Sequence, residues 1–217
     1  MRVVQPKGTK GSLKWIQQAV AQRPDLLQPA TLGTIDWLSP RADDDFAEYR
    51  DGAFLRLLGL DHLSDHLCDF WPRRGPQWDA LGRAGNSVIL VEAKAHIAEF
   101  FSAPTMAGNT SRQRIHSSLE RCKERIKAAP GSDWQVHFYQ YANRLAHLVW
   151  LRDLGVDAHL VFVGFLGDTE MNGPTSPEAW QATFQTADHV LGIPLRHPYR
   201  RFIHHLTPDI ADLRQIG

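Results

Sequence analysis

A carboxylate and an ammonium side chain follow a run of apolar residues in the segment 88–94. Val88 to Val91 are continuously apolar, which is typical of a strand that is buried on both faces. Glu92 and Lys94 come next, two positions apart, so in a strand their side chains point to the same side. Because burying a charged pair is costly, this placement favours a functional site. The alternative is an ion pair at the surface end of a strand.

A second carboxylate, that of Asp79, lies 13 residues before Glu92. This separation accommodates one strand, a turn and a returning strand, and adjacent strands lie about 4.8 Å apart, so the two carboxylates can converge. Convergent carboxylates repel each other unless a cation lies between them. Mg²⁺ prefers oxygen ligands of this kind, and Lys94 beside it could hold or deprotonate a water molecule. In the alternative, Asp79 lies in a turn.

The hairpin that would carry these residues belongs to a longer alternation of helices and strands. Apolar periodicity and turn residues predict an α/β domain with a mixed sheet and helices on both faces. Helices are predicted at 12–28, 43–60, 111–128, 135–154 and 177–190. Three short strands are predicted within 66–96, with turns at 72–76 and 82–86, and a fourth strand at 158–166.

The pattern Asp-x(12)-Glu-x-Lys on a hairpin, formed by Asp79, Glu92 and Lys94, resembles the active site of the PD-(D/E)xK nuclease superfamily. That superfamily includes restriction endonucleases, Holliday-junction resolvases and many repair and defence nucleases. The resemblance implies one restriction-endonuclease-like domain over residues 1–217 with its core at about 43–166. The expected fold is a central four-stranded mixed sheet flanked by helices, with an N-terminal helical extension and a C-terminal helix.

The same resemblance implies roles for individual residues. Asp79 and Glu92 would be ligands of Mg²⁺ or Mn²⁺, the carbonyl of Ala93 a further ligand, and Lys94 the catalytic lysine. The implied reaction is hydrolysis of phosphodiester bonds, with DNA expected over RNA because most of the family acts on DNA. One departure is Trp78, which stands before Asp79 where the motif has proline.

Three further polar residues are candidates for the site. Glu48, in the predicted helix 43–60, stands where the family often has another acidic ligand; we expect it to act through a bound water, or else to be a solvated helix residue. Gln140 lies where exonuclease-like branches carry Gln and Tyr, and a polar helix face explains it as well. His96 could contact phosphate or a metal-bound water, or be a histidine satisfied at the end of its strand.

Composition limits the partners that can be expected. The 217 residues carry 24 basic and 24 acidic side chains, so their formal net charge is zero. A polyanion therefore needs a local cationic surface, which we expect on the helix 111–128 at Arg114, Arg121 and Arg125. The aspartates of 43–45 are expected at a helix start, and the basic, aromatic stretch 197–205 is expected to be a solvated tail.

Several other functional classes lack their sequence signals. There is no GxxxxGK, GxGxxG or GxSxG motif, and Cys68 and Cys122 lack zinc-site spacing. No window approaches the ~18 apolar residues of a membrane span, so a cytoplasmic protein is expected. The alternative function is a non-catalytic nucleic-acid- or protein-binding module that keeps the nuclease fold. Exposed aromatic residues, expected at Trp71, Trp78 and Trp134, would favour it. A homodimer or a larger complex is a further expectation for either function.

Overall fold

A computed structural model describes residues 1–214, in which helices pack on both faces of a mixed sheet. The strands are β1 (Arg2–Val3), β2 (Asp36–Ser39), β3 (Glu48–Tyr49), β4 (Ala80–Ala84), β5 (Ser87–Lys94), β6 (Ala158–Gly164) and β7 (Ile203–Leu206). The helices are α1 (Gly11–Gln22), α2 (Gly52–Leu57), α3 (Ser64–Phe70), α4 (Ile97–Phe100), α5 (Asn109–Ile126), α6 (Tyr139–Asp153), α7 (Pro177–Val190) and α8 (Ile210–Arg214).

The main sheet has five strands in the order β2-β4-β5-β6-β7. Strands β2, β4 and β5 form an antiparallel meander, and β6 and β7 run parallel to β5. The α/β class and the mixed sheet are confirmed, whereas the prediction of four strands was wrong. Strands β2 and β7 both lie outside the segment 43–166. Each has only four residues, too few for a clear alternation of apolar and polar positions.

The meander also begins earlier in the chain than predicted. Residues 64–70 form helix α3 instead of a strand, because Leu63, Leu67 and Trp71 are buried on one side at helical spacing. The first strand of the meander is β2. The returning turn between β4 and β5 consists of Gly85 and Asn86 alone, and Gly85 has a φ of 60°, as two-residue hairpin loops require.

Helices on both sides of the sheet explain the continuous apolar run in β5. Side chains of Ile89 and Val91 belong to a cluster with α1 and α8, while those of Val88 and Leu90 belong to a cluster with α5, α6 and α7. Successive strand residues alternate between these two clusters. Helix α1, the predicted N-terminal helix, therefore packs on the sheet and covers one of its faces.

Segment 43–60 does not form the predicted single helix. A 3-10 turn at Ala42–Asp44 leads into strand β3, which pairs with β1. The aspartates do not begin a helix: Arg2 binds Asp44 and Asp45 at 2.7 and 2.9 Å, and Asp45 is left-handed with a φ of 51°. These ion pairs and this backbone conformation hold the segment away from helical geometry.

The other elements agree with the sequence more closely. Helices α5, α6 and α7 and strand β6 are observed where they were predicted, whereas α1 stops before Pro24, where a 3-10 turn begins. The stretch 197–205 ends in strand β7, so it is not a solvated tail. The three tryptophans expected at the surface are buried. Within residues 1–214, no helix combines the length and the apolar character needed to cross a bilayer.

Candidate active site

Glu92 and Lys94 lie at the end of β5, between the antiparallel β4 and the parallel β6. In the parallel pairing of β5 with β6, Glu92 lies opposite Phe162 and Lys94 lies opposite Gly164. Glu92 shares its side of the sheet with the cluster that contains α6, because it alternates with Val91. Both residues are buried, with 3% and 8% of their surfaces exposed. A surface ion pair is thereby ruled out.

Asp79 directly precedes β4 and reaches the same end of β5. Its backbone N–H donates to the carbonyl of Val91 at 3.2 Å, and its Oδ2 accepts the N–H of Ala93 at 2.7 Å. Asp79 is therefore held beside the backbone that carries Glu92 and Lys94. Ala93 contacts Asp79 through its N–H. The expected role of the Ala93 carbonyl as a metal ligand stays a prediction.

Two cations bind the carboxylate of Glu92, one on each oxygen. Lys94 Nζ lies 2.5 Å from Oε1, and Arg144 of α6 binds Oε2 through Nε at 2.6 Å and Nη2 at 2.5 Å. Arg144 also donates to the carbonyl of Gln77 and to Asn143 Oδ1, both at 2.8 Å. The guanidinium carbon of Arg144 lies 5.0 Å from the centre of the Trp78 ring. Arg144 is therefore fixed on several sides.

Glu48 joins this cluster from strand β3. Its Oε2 accepts hydrogen bonds from Gln77 Nε2 at 2.5 Å and from Gln5 Nε2 at 3.1 Å. Glu48 is buried, so the alternative of a solvated helix residue was wrong. The side chain of Gln77 links it to the segment just before Asp79.

The pKa values of these groups show how their charges are balanced. Burial, and then the charge of Glu92, raises the pKa of Asp79 well above its usual range. Burial also raises the pKa of Glu48, and the charge of Glu92 adds to this. Burial opposes ionisation of Glu92 and of Lys94 as well, but Arg144 and Lys94 hold the pKa of Glu92 below its ordinary value, and Glu92 raises that of Lys94. The cluster thus contains more acidic than basic groups: the carboxyl groups of Asp79, Glu92 and Glu48, and the cations of Lys94 and Arg144.

This donor set fits Mg²⁺ or Mn²⁺ in its chemistry. Asp79 and Glu92 offer carboxylate oxygens, and a magnesium site needs only one or two carboxylates together with water and substrate phosphate. Within residues 1–214, no three His, Cys, Asp or Glu side chains are arranged so that they could hold a metal ion. An ion at Asp79 and Glu92 would have to compete with Lys94 and Arg144 for the carboxylate of Glu92.

Glu99, which the sequence analysis did not single out, lies on the other side of Lys94. The carboxylate oxygen Glu99 Oε1 is 3.9 Å from Lys94 Nζ. Ser12 Oγ donates to Oε1 at 2.8 Å, and the N–H of Ala95 donates to Oε2 at 3.2 Å. His96 accepts the N–H of Glu99 at its Nδ1 as the N-cap of α4, which is the position of a histidine satisfied at the strand end.

Gln140 lies at the start of α6, one turn before Arg144. Its backbone N–H donates to Ser102 Oγ at 2.8 Å, and its side chain is half-buried. Arg144 was not among the residues that the sequence predicted for the site. A signal is nevertheless present in the sequence, since Arg144 is a charged residue in the largely apolar helical stretch 141–150.

The three arginines predicted to bind nucleic acid lie on α5, away from the acidic cluster. Arg121 and Arg125 approach Asp153 at 3.7 and 2.7 Å, and Asp153 is nine residues, or roughly 13 Å of helix, beyond Arg144 on α6. Arg114 donates to the carbonyl of Cys68 at 2.8 Å. Arg114 and Arg121 line a cavity of about 300 Å³ between α3, α5 and α6, whose lining includes none of Asp79, Glu92 and Lys94.

Comparison of the chain with protein-family models, with curated proteins and with solved structures gives no match.

Proposed function

We propose that the protein is a divalent-metal-dependent nuclease that hydrolyses phosphodiester bonds in DNA. The observation that carries the proposal is the convergence of Asp79, Glu92 and Lys94 at the end of two adjacent strands. The raised pKa values of Asp79 and Glu48 support it, because carboxyl groups with perturbed pKa values cluster at functional sites.

The order of elements supports the same proposal. The resemblance to PD-(D/E)xK nucleases implies a helix, a three-stranded meander, a helical crossover and a parallel fourth strand. In this chain α1 precedes the antiparallel strands β2, β4 and β5, with β3, α2 and α3 between β2 and β4, and α5 and α6 lead to the parallel strand β6. The candidate residues lie on the central hairpin of this arrangement, as the resemblance requires.

In the proposed mechanism Asp79 and Glu92 would hold Mg²⁺, which would supply an activated water and neutralise charge on the phosphate. Lys94 donates hydrogen bonds to the attacking water or to a phosphate oxygen, where its positive charge stabilises the transition state. Arg144 keeps Glu92 ionised and oriented. Glu48, joined to Gln77, orients the site from outside the metal ligands, as the expected outer-shell role would require.

One observation favours the non-catalytic alternative. Both oxygens of Glu92 are already bound by cations, and a closed ion-pair network of this kind can be purely structural. A binding module that keeps the nuclease fold would contain the same network without turnover. The two functions differ in whether a divalent cation brings about cleavage.

Cleavage assays with purified protein test the proposal directly. Plasmid, linear duplex, single-stranded DNA and RNA are incubated with Mg²⁺, Mn²⁺ or EDTA, and products are resolved on gels. We expect metal-dependent cleavage of DNA that is abolished by Lys94→Ala and by Asp79→Asn. The exposed Lys7 provides the matched control, and Lys7→Ala should cleave like the wild type.

Calorimetric titration with Mn²⁺ separates metal binding from turnover. Lys94→Ala should still bind Mn²⁺, because the lysine is not a ligand, whereas Glu92→Gln should lose binding. The same affinity in wild type and Glu92→Gln would contradict the metal site. Mn²⁺ binding without cleavage of any substrate would favour the non-catalytic module.

A further inference from the structure

The ammonium group of Lys94 is bound to Glu92, one of the two carboxylates that the proposed metal would use. It lies 2.5 Å from Glu92 Oε1, and its charge also acts on Asp79. Lys94 therefore supplies the positive charge that two convergent carboxylates require. A divalent cation that binds Asp79 and Glu92 would repel this ammonium at short range, so Lys94 has to leave Glu92 when the metal arrives.

Glu99 is a further carboxylate near Lys94, with its Oε1 3.9 Å from Lys94 Nζ. Hydrogen bonds from Ser12 Oγ and from the N–H of Ala95 already hold both of its oxygens. Its side chain is 30% exposed, so it is also in contact with solvent. A short movement of the flexible lysine chain brings the ammonium from Glu92 to Glu99.

We propose that Glu99 is a positioning residue that receives Lys94 when a divalent cation binds Asp79 and Glu92. The inference rests on the proposed function, since it requires a metal at these two carboxylates. Lys94 thus has two partners in turn. Glu92 holds it in the metal-free protein, and Glu99 holds it, beside the metal, in the position from which it acts on water or phosphate.

This exchange predicts that the affinity for the metal depends on the carboxylate of Glu99. Without the Glu99 carboxylate, the displaced ammonium loses the partner that would receive it, so the metal-bound state becomes less favourable. Glu99→Gln should weaken Mn²⁺ binding about 10-fold, the lower end of the range for residues that support metal ligands indirectly. The metal-free protein keeps its Lys94–Glu92 pair, so thermal stability without metal should change little.

A double-mutant cycle on Mn²⁺ affinity, measured by calorimetry, tests the proposal. In the Lys94→Ala background there is no ammonium to receive, so Glu99→Gln should change the Kd less than about twofold, the limit for uncoupled sites. Ser12→Ala, which loosens Glu99, should give a smaller loss in the wild-type background. Glu124→Gln, at an exposed glutamate of α5, is the control and should bind like the wild type.

The outcomes separate this inference from the proposed function. Wild type that binds Mn²⁺ while Glu99→Gln binds equally well would overturn only the role of Glu99. An equal loss in both backgrounds would also overturn it, because Glu99 would then act on the metal without Lys94. Wild type that binds no Mn²⁺ would overturn the proposed function and, with it, the displacement of Lys94.

Discussion

Replacing Arg144 with methionine removes one of the two cations on Glu92 while keeping a long, unbranched side chain. The pair is buried, with 6% of the Arg144 side chain and 4% of the Glu92 side chain exposed. Removing one partner from a buried ion pair costs about 3–5 kcal/mol. Lys94 remains on the other oxygen, so we expect a loss near the lower end, about 3 kcal/mol at pH 8.

The loss should depend on pH in a defined direction. In the wild type the pKa of Glu92 is below its ordinary value, so its stabilising contribution is present above the unfolded-state pKa and disappears as the pH falls through the folded-state pKa. Without Arg144, burial raises the pKa of Glu92 and the variant carries a poorly compensated carboxylate at high pH. Protonation relieves this, so the difference in stability should shrink from pH 8 towards pH 5.

Urea unfolding of wild type and Arg144→Met, followed by circular dichroism at pH 8 and pH 5, gives both quantities. Arg121→Met is the control, because Arg121 is 65% exposed and 3.7 Å from Asp153, and exposed pairs contribute at most about 1 kcal/mol. Glu92→Gln in the Arg144→Met background should recover part of the loss at pH 8. A loss no larger than that of Arg121→Met, or an equal loss at both pH values, would refute the reasoning.

Three other expectations concern packing, protonation and nucleic-acid binding. A Cβ at Gly164 would lie 2.4 Å from the Trp180 ring, so Gly164→Ala should lower the free energy of unfolding by about 1–3 kcal/mol, whereas Gly33→Ala, in open space, should not. Burial lowers the pKa of His147 to about 3; between pH 6 and 4 the wild type should therefore lose up to about 1.4 kcal/mol per pH unit more stability than His147→Gln. If Arg121 contacts phosphate, Arg121→Ala should reduce the slope of log K against log salt by about 1 in DNA-binding titrations, and an unchanged slope would place the substrate elsewhere.

The part of the site that could be predicted from the sequence is the part that local geometry determines. Asp79 and Glu92 belong to one hairpin whose turn has two residues, so their convergence follows from a short stretch of chain. The apolar run before Glu92 indicated a strand covered on both faces, and helices on both sides of the sheet account for it. Charged residues at the end of such a strand are therefore buried.

The rest of the site depends on contacts between distant segments, which residue patterns do not contain. Glu48 lies in a strand because residues 2–3 pair with 48–49, and nothing near position 48 indicates that partner. Arg144 reaches Glu92 only because α6 packs across the sheet. In the sequence of α6 alone, Arg144 is one polar position among others. The short strands β2 and β7 lack the length for a recognisable alternation, so the predicted sheet was too small.

The wide spacing of these contacts along the chain has a consequence for biosynthesis. Gln5 and Glu48 are 43 positions apart, Glu92 and Arg144 are 52 apart, and Ser12 and Glu99 are 87 apart. Folds that rely on distant pairings form slowly, because the chain entropy is lost before the contacts are gained. A growing chain that ends before α6 contains the hairpin with Asp79, Glu92 and Lys94 but lacks the arginine that secures Glu92. The proposed activity would therefore be absent while the chain is still being synthesised. It would begin only when α6 has packed on the sheet and the domain is completely folded.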